Sequence, residues 1–184
     1  MDKALLQRVL GSTVLKKYIN PVYLDHATLR QMSVAYHTPT PPHIHLHDFL
    51  IPGVYKNMLR SLKRQHGKKM YIPHFYSFSL MKEDRFFASQ EFLEYLSCLM
   101  DVPFQSPSIE TRRFTWKDYT LSQPVSRPTH AAVLFLGDTI PESGGGYWCC
   151  TTESDEVFQV IPAPNSLAVA SLMPPLRTFM KYLN

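Results

Sequence analysis

The chain has 184 residues, 45% of them hydrophobic and 12% aromatic, which suits one packed domain, or one domain with an added helical lobe, and excludes a disordered chain. No apolar run approaches the ~20 residues of a membrane span, and three cysteines, two of them adjacent (Cys149 and Cys150), point to a reduced, intracellular and cytoplasmic protein. The net charge of +4 is uneven: residues 1–100 hold 13 Lys/Arg against 7 Asp/Glu, and residues 101–184 hold 6 against 8.

The start, MDKALLQRVLG, has an acid beside its lysine and only a short apolar stretch, so it is a poor signal peptide. ALLQRVLGSTVLKKYI has apolar residues near helical spacing, broken at Gly11 and ended by Pro21. LDHATLRQMSVAY predicts a second helix, with Asp25 as its cap and Leu29, Met32, Val34 and Tyr36 available to bury. HIHLHDFL reads as extended. Pro52 opens a helix in the first-turn position that proline tolerates, and Gly67 is the expected C-cap. MYIPHFYSFSL, 70–80, alternates as a strand interrupted at Pro73, and Ser89 starts the helix QEFLEYLSCLM.

From residue 109 the runs become short and β-rich: IETRRFTWKDYTLSQ, HAAVLFLGD, GGYWCCTT, EVFQVIPAPNSLAVASL and RTFMKYLN, separated by Pro, Gly, Asp and Ser. That pattern predicts an antiparallel sandwich or barrel, with Val133, Phe135, Trp148, Phe158 and Val160 inward. The fold class is therefore α+β, helices first, packed against an all-β half.

PPHIHLHDFL places His43, His45 and His47 at alternate positions, followed by Asp48. Histidine is the commonest ligand for zinc, copper and non-haem iron. Period-two spacing puts the three imidazoles on one strand face, about 6.5–7 Å apart. A metal site usually needs further ligands from elsewhere, and no CxxC-type pair accompanies them. The reading is a strand with a polar histidine face. In KNMLRSLKRQHGKK, Lys56, Arg60, Lys63 and Arg64 share one side of a helix, a surface that a nucleic acid or other acidic partner could use. Cys149 and Cys150 sit on a strand with no identifiable histidine partner, and core packing is their expected role, as it is for Trp116 and Trp148.

The order PPHIHLHDFL plus helix, then FTWKDYTL, VLFLGDTIPESGGGYW and VIPAPNSLAV, resembles the prolyl-hydroxylase-like branch of the Fe(II)/2-oxoglutarate dioxygenases. The resemblance spans roughly residues 41–184. It implies a double-stranded β-helix (jelly-roll) antiparallel barrel in that range, with helices in its first half, behind an N-terminal helical segment over 1–40. In that family Fe(II) sits on two histidines and a carboxylate, leaving positions for 2-oxoglutarate and dioxygen. An HxD or HxE step supplies the first two ligands, a later strand the second histidine, and a basic residue beyond it pairs with the far carboxylate.

Here the resemblance puts Gln123 and Val125 at the HxD slots and Arg177 or Thr178 at the distal histidine, and the chain reaches Asn184 before the strand that would carry the basic residue. On the same resemblance Tyr119, His130, Trp148 and Arg177 are candidate pocket residues, and the histidine strand lies outside the iron pocket. The expected function is an oxygenase-fold protein without the iron triad, a non-catalytic binding or interaction module with a protein partner and no cofactor. The alternative is an active Fe(II)/2-oxoglutarate hydroxylase of a protein or small molecule, its ligands displaced or its site completed by further chain.

Overall fold

The computed structural model describes residues 2–104, 107–127, 129–137 and 144–181. The far ends of the HAAVLFLGD and RTFMKYLN runs, Asp138 and 182–184, lie outside them.

Short polar side chains start the helices by accepting from backbone N–H groups that have no partner within the helix. Asp2 caps α1 (Lys3–Gly11) through Ala4 N, and Asp25 caps α3 (His26–His37) through Thr28 N, each at 2.9 Å. Between them lie α2 (Leu15–Tyr18) and a 3-10 turn over Pro21–Leu24. Pro52 opens α4 (Pro52–Arg64), and Ser89 caps α5 (Gln90–Met100). Leu29, Met32 and Tyr36 are buried as the spacing predicts, but Val34 is 71% exposed. At about 100° per residue, position 34 falls on the far side of α3 from position 32, so the same period that buries one exposes the other.

Gly67 is not the helix cap. α4 ends at Arg64 with an extended Gln65, whose Oε1 accepts from Lys82 N at 3.1 Å. Gly67 instead lies against the next element, where a Cβ would sit 2.4 Å from Met81 Sδ and 3.0 Å from the Leu80 carbonyl oxygen. The 70–80 run is also not one interrupted strand. It is a hairpin of β2 (Lys68–Ile72) and β3 (Tyr76–Met81), turned at Pro73 and at His74, which takes φ 64°.

Three antiparallel sheets follow. The first has the order β1 (His43–Leu46), β10 (Ser166–Leu172), β7 (Thr129–Phe135). The second has the order β6 (Gln123–Pro124), β11 (Arg177–Met180), β8 (Trp148–Thr151), β9 (Glu156–Val160). The third joins β2 and β3 to β4 (Thr111–Arg113) and β5 (Tyr119–Thr120). Pairing in the first two sheets is nested: β8 with β9, then β7 with β10, then β6 with β11. Among the described residues these two sheets pack face to face without closing into a barrel, and with the third sheet and the helices they make an α+β fold.

Alternation along β10 divides the core. Leu167 and Val169 point to the helices, joining Leu15, Leu29, Phe49, Tyr95 and Leu99. Ala168, Ala170 and Leu172 point to the second sheet, joining Phe135, Trp148, Cys150, Phe158 and Val160, with Val133 packed against them. The five residues read as inward from the sequence therefore all meet in this second cluster. The N-terminal half is held to the β half by the PAPN turn. There Asn165, 4% exposed and at φ 56°, accepts from Leu50 N at 2.9 Å and donates to Leu50 O at 2.8 Å.

Candidate functional site

Residues directly opposite on neighbouring strands share a face. Gln123, Thr178, Cys150 and Phe158 form such a row across the second sheet, facing the first. Two slots that the resemblance assigns to iron ligands, Gln123 and Thr178, are thus cross-strand partners. Val125 donates its N–H to Leu176 O at 2.8 Å and packs its side chain against the apolar cluster. The three positions offer an amide, an alkyl group and a hydroxyl, which is no donor set for Fe(II). Among the described residues no three His, Cys, Asp or Glu are placed to hold a metal ion.

Only two of the three histidines share a strand face: His47 lies past the end of β1 and is exposed. His43 and His45 stand opposite Ala170 and Ala168, so they point between the sheets. His43 stacks on Phe158 at 4.3 Å, with its Nδ1 2.8 Å from the Pro41 carbonyl oxygen. The Ser166 hydroxyl donates to Ala163 O at 2.7 Å, so its oxygen can only accept from His45 Nε2, 2.8 Å away. That makes His45 the Nε2–H tautomer. Burial, and then the neighbouring His47 ring at 4.4 Å, lower the His45 pKa to about 4, keeping it neutral at pH 7.

The four candidate pocket residues fall on different surfaces. Trp148 is in the sandwich core, whereas Arg177 lies on the opposite face of the same sheet and pairs with Glu153 at 3.2 Å. His130 stands opposite Ser171 on the helix side of the first sheet, edge-on to Phe104, where burial lowers its pKa. Tyr119 belongs to the third sheet. They do not line one pocket because a strand sends successive side chains to opposite faces, and these four were drawn from strands of three sheets. A cavity of about 200 Å³ does exist, lined among others by Met70, Tyr76, Phe78, Arg112 and Gln123, but Arg112 is paired with Glu110 at 2.6 Å and stacked on Phe78. Cys149 and Cys150 are both buried, and burial pushes both thiols up to about 11, which suits packing and not nucleophilic attack.

Lys56, Arg60, Lys63 and Arg64 are all exposed on α4, and Arg60 donates to Asn57 Oδ1 at 3.2 Å. Trp116 is not core: it is 66% exposed, with Lys117 Nζ 3.9 Å from its ring centre. A further polar cluster forms around Asp118. It is 2% exposed and accepts from Lys69 Nζ and Ser77 Oγ at 2.5 Å, and from Thr115 N and Oγ1 at 2.9 Å. Burial works to raise its pKa, but the bonds from Lys69, Ser77 and Thr115 outweigh it and hold the carboxyl below its ordinary value. Lys69 lies 49 positions away, so only the Thr115–Asp118 spacing was visible locally.

No protein-family model matches the sequence, and no curated protein matches it. No helix among the described residues is long and apolar enough to cross a membrane.

Proposed function

We propose that this chain is an oxygenase-fold protein that has lost iron chemistry and acts as a non-catalytic binding or interaction module, with a protein partner. The nested strand pairing supports a jelly-roll reading of 41–184, because rolling up one long hairpin generates such pairs. One observation carries the functional reading. The slots at Gln123 and Thr178 meet across β6 and β11, as a ligand pair in one site must, yet neither side chain can serve Fe(II). Val125 between the sheets removes the carboxylate as well.

The test is thermal stability with anaerobic Mn(II), a redox-inert stand-in for Fe(II), and 2-oxoglutarate. A ligand binding only the native state at a hundredfold excess over Kd adds about 2.7 kcal/mol. For a domain of this size that raises the melting midpoint by roughly 5–10 °C. A shift below about 1 °C is expected here. A clear shift abolished by one substitution, such as His130→Ala, would establish the alternative, an active 2-oxoglutarate-dependent hydroxylase with displaced ligands.

A further inference from the structure

Two stretches far apart in sequence bring exposed apolar side chains to one end of the third sheet. The β2–β3 hairpin turns through Pro73, His74 and Phe75, all exposed. Leu121 N donates to Phe75 O at 2.7 Å, which sets Leu121 beside that turn. Tyr71 stands opposite Ser77, whose hydroxyl donates to Asp118 at 2.5 Å. That bond seats the 115–118 turn, with Trp116, on the Tyr71 face of the sheet. Of Tyr71, Ile72, Phe75, Trp116 and Leu121, Ile72 is the least exposed, at 44%.

The charge around this tip has one sign. Residues 49–82 hold no Asp or Glu, and Asp118 is the one acid within 111–137. Asp118 is buried and already accepts from Lys69 and Ser77, so it presents no negative charge outward. Lys68 and Lys117 are exposed, with Lys117 Nζ 3.9 Å from the Trp116 ring centre.

Area and backbone pairing say what fits such a tip. A whole aromatic side chain offers about 150–250 Å², so these five partly exposed residues offer on the order of 500 Å². That is a patch of functional size, but it falls short of the ~800 Å² each partner gives to a standard protein interface. A bilayer interface asks for less. It takes a few apolar side chains to a depth of about 5–10 Å, holds Trp and Tyr at headgroup level, and attracts cations to anionic lipid. Backbone groups that enter it must be paired within the protein. Phe75 meets that condition, because its N–H donates to Ile72 O at 3.0 Å and its carbonyl oxygen accepts from Leu121.

We propose that the tip of the β2–β3 hairpin, with the 115–121 segment beside it, docks on the surface of an anionic phospholipid bilayer. Ile72, Phe75 and Leu121 enter the acyl boundary, Tyr71 and Trp116 lie among the headgroups, and Lys68 and Lys117 meet lipid phosphates. No spanning helix is needed. The tip lies outside the two facing sheets, so the proposal stands whatever those sheets hold.

The experiment is co-sedimentation of the full chain with phosphatidylcholine vesicles, with and without about 30% phosphatidylglycerol, at about 50 mM salt to limit screening. Trp emission is recorded alongside. The chain has two tryptophans and Trp148 is buried, so a blue shift on binding reports Trp116. Phe75→Ala should weaken binding by about fivefold or more, the loss of part of an aromatic side chain's burial. Lys68→Ala with Lys117→Ala should weaken it by about 25-fold on the anionic vesicles, at roughly fivefold per lysine. Both variants change exposed side chains, and unchanged far-UV circular dichroism checks their folding. Preference for anionic vesicles, with the blue shift and both sensitivities, supports the proposal. It is overturned by no sedimentation with either vesicle, or by sedimentation without a blue shift or with Phe75→Ala unaffected. A dimer in light scattering that Phe75→Ala dissociates would also overturn it, assigning the tip to a second copy of the chain.

Discussion

Asn165 is the joint between the helical and β halves, and replacing it with alanine tests that role directly. Its side chain satisfies both backbone groups of Leu50, a residue with no exposed surface, while its own carbonyl oxygen accepts from Phe49 N at 2.8 Å. Asn165→Ala strands the Leu50 N–H and C=O in the interior, at about 1–3 kcal/mol each. It also forces alanine to hold φ 56°, a left-handed conformation that costs a residue with a Cβ roughly 1 kcal/mol. The sum is about 3–7 kcal/mol. At roughly 2–4 °C per kcal/mol, the midpoint of thermal unfolding should fall by about 6 °C or more. Asn165→Gly keeps the conformation and loses only the hydrogen bonds, so it should be about 1 kcal/mol milder. Urea unfolding of the three proteins, with an unchanged m-value, measures both differences. An alanine variant within about 1 kcal/mol of the parent would refute the bridge, and a glycine variant no milder than alanine would refute the strain argument.

Acid should weaken the fold through His45. Its native pKa of about 4 lies below the ordinary 6.5, so the unfolded chain takes up a proton first. Stability is therefore full above about pH 6.5 and declines as pH falls toward 4, by roughly 1–2 kcal/mol once solvent screening of this half-buried ring is allowed for. Urea midpoints at pH 7.5 and 4.5 measure this, and His45→Gln should flatten the difference. Gly67→Ala should cost about 1–3 kcal/mol, because the new methyl meets the Leu80 carbonyl oxygen as well as the movable end of Met81; a neutral result in thermal unfolding would show that β3 can retreat.

Local chemistry was legible in the sequence because its causes are local. Asp25 and Ser89 cap helices through bonds three residues long, Pro52 opens α4, and alternation in HAAVLF and EVFQV marks strands and their inward residues. The same local rules misplaced Gly67 and Trp116, whose surroundings come from elsewhere in the chain, whereas the step of about 100° per residue along α3 itself puts Val34 on the far side from Met32. Period two says that His43 and His45 share a face, but β10 and Phe158 decide that the face looks inward. The composition shows a basic stretch at 56–69, yet only the fold sets Arg113 against the Leu62 carbonyl oxygen and Lys69 against Asp118. Gln123 and Thr178, 55 positions apart, become neighbours through the register of β6 on β11, and Tyr119, His130, Trp148 and Arg177 are separated by theirs. A side chain's face along its own strand is set by covalent geometry, whereas what stands opposite is set by sheet register and by how the sheets stack, and these depend on the whole chain at once.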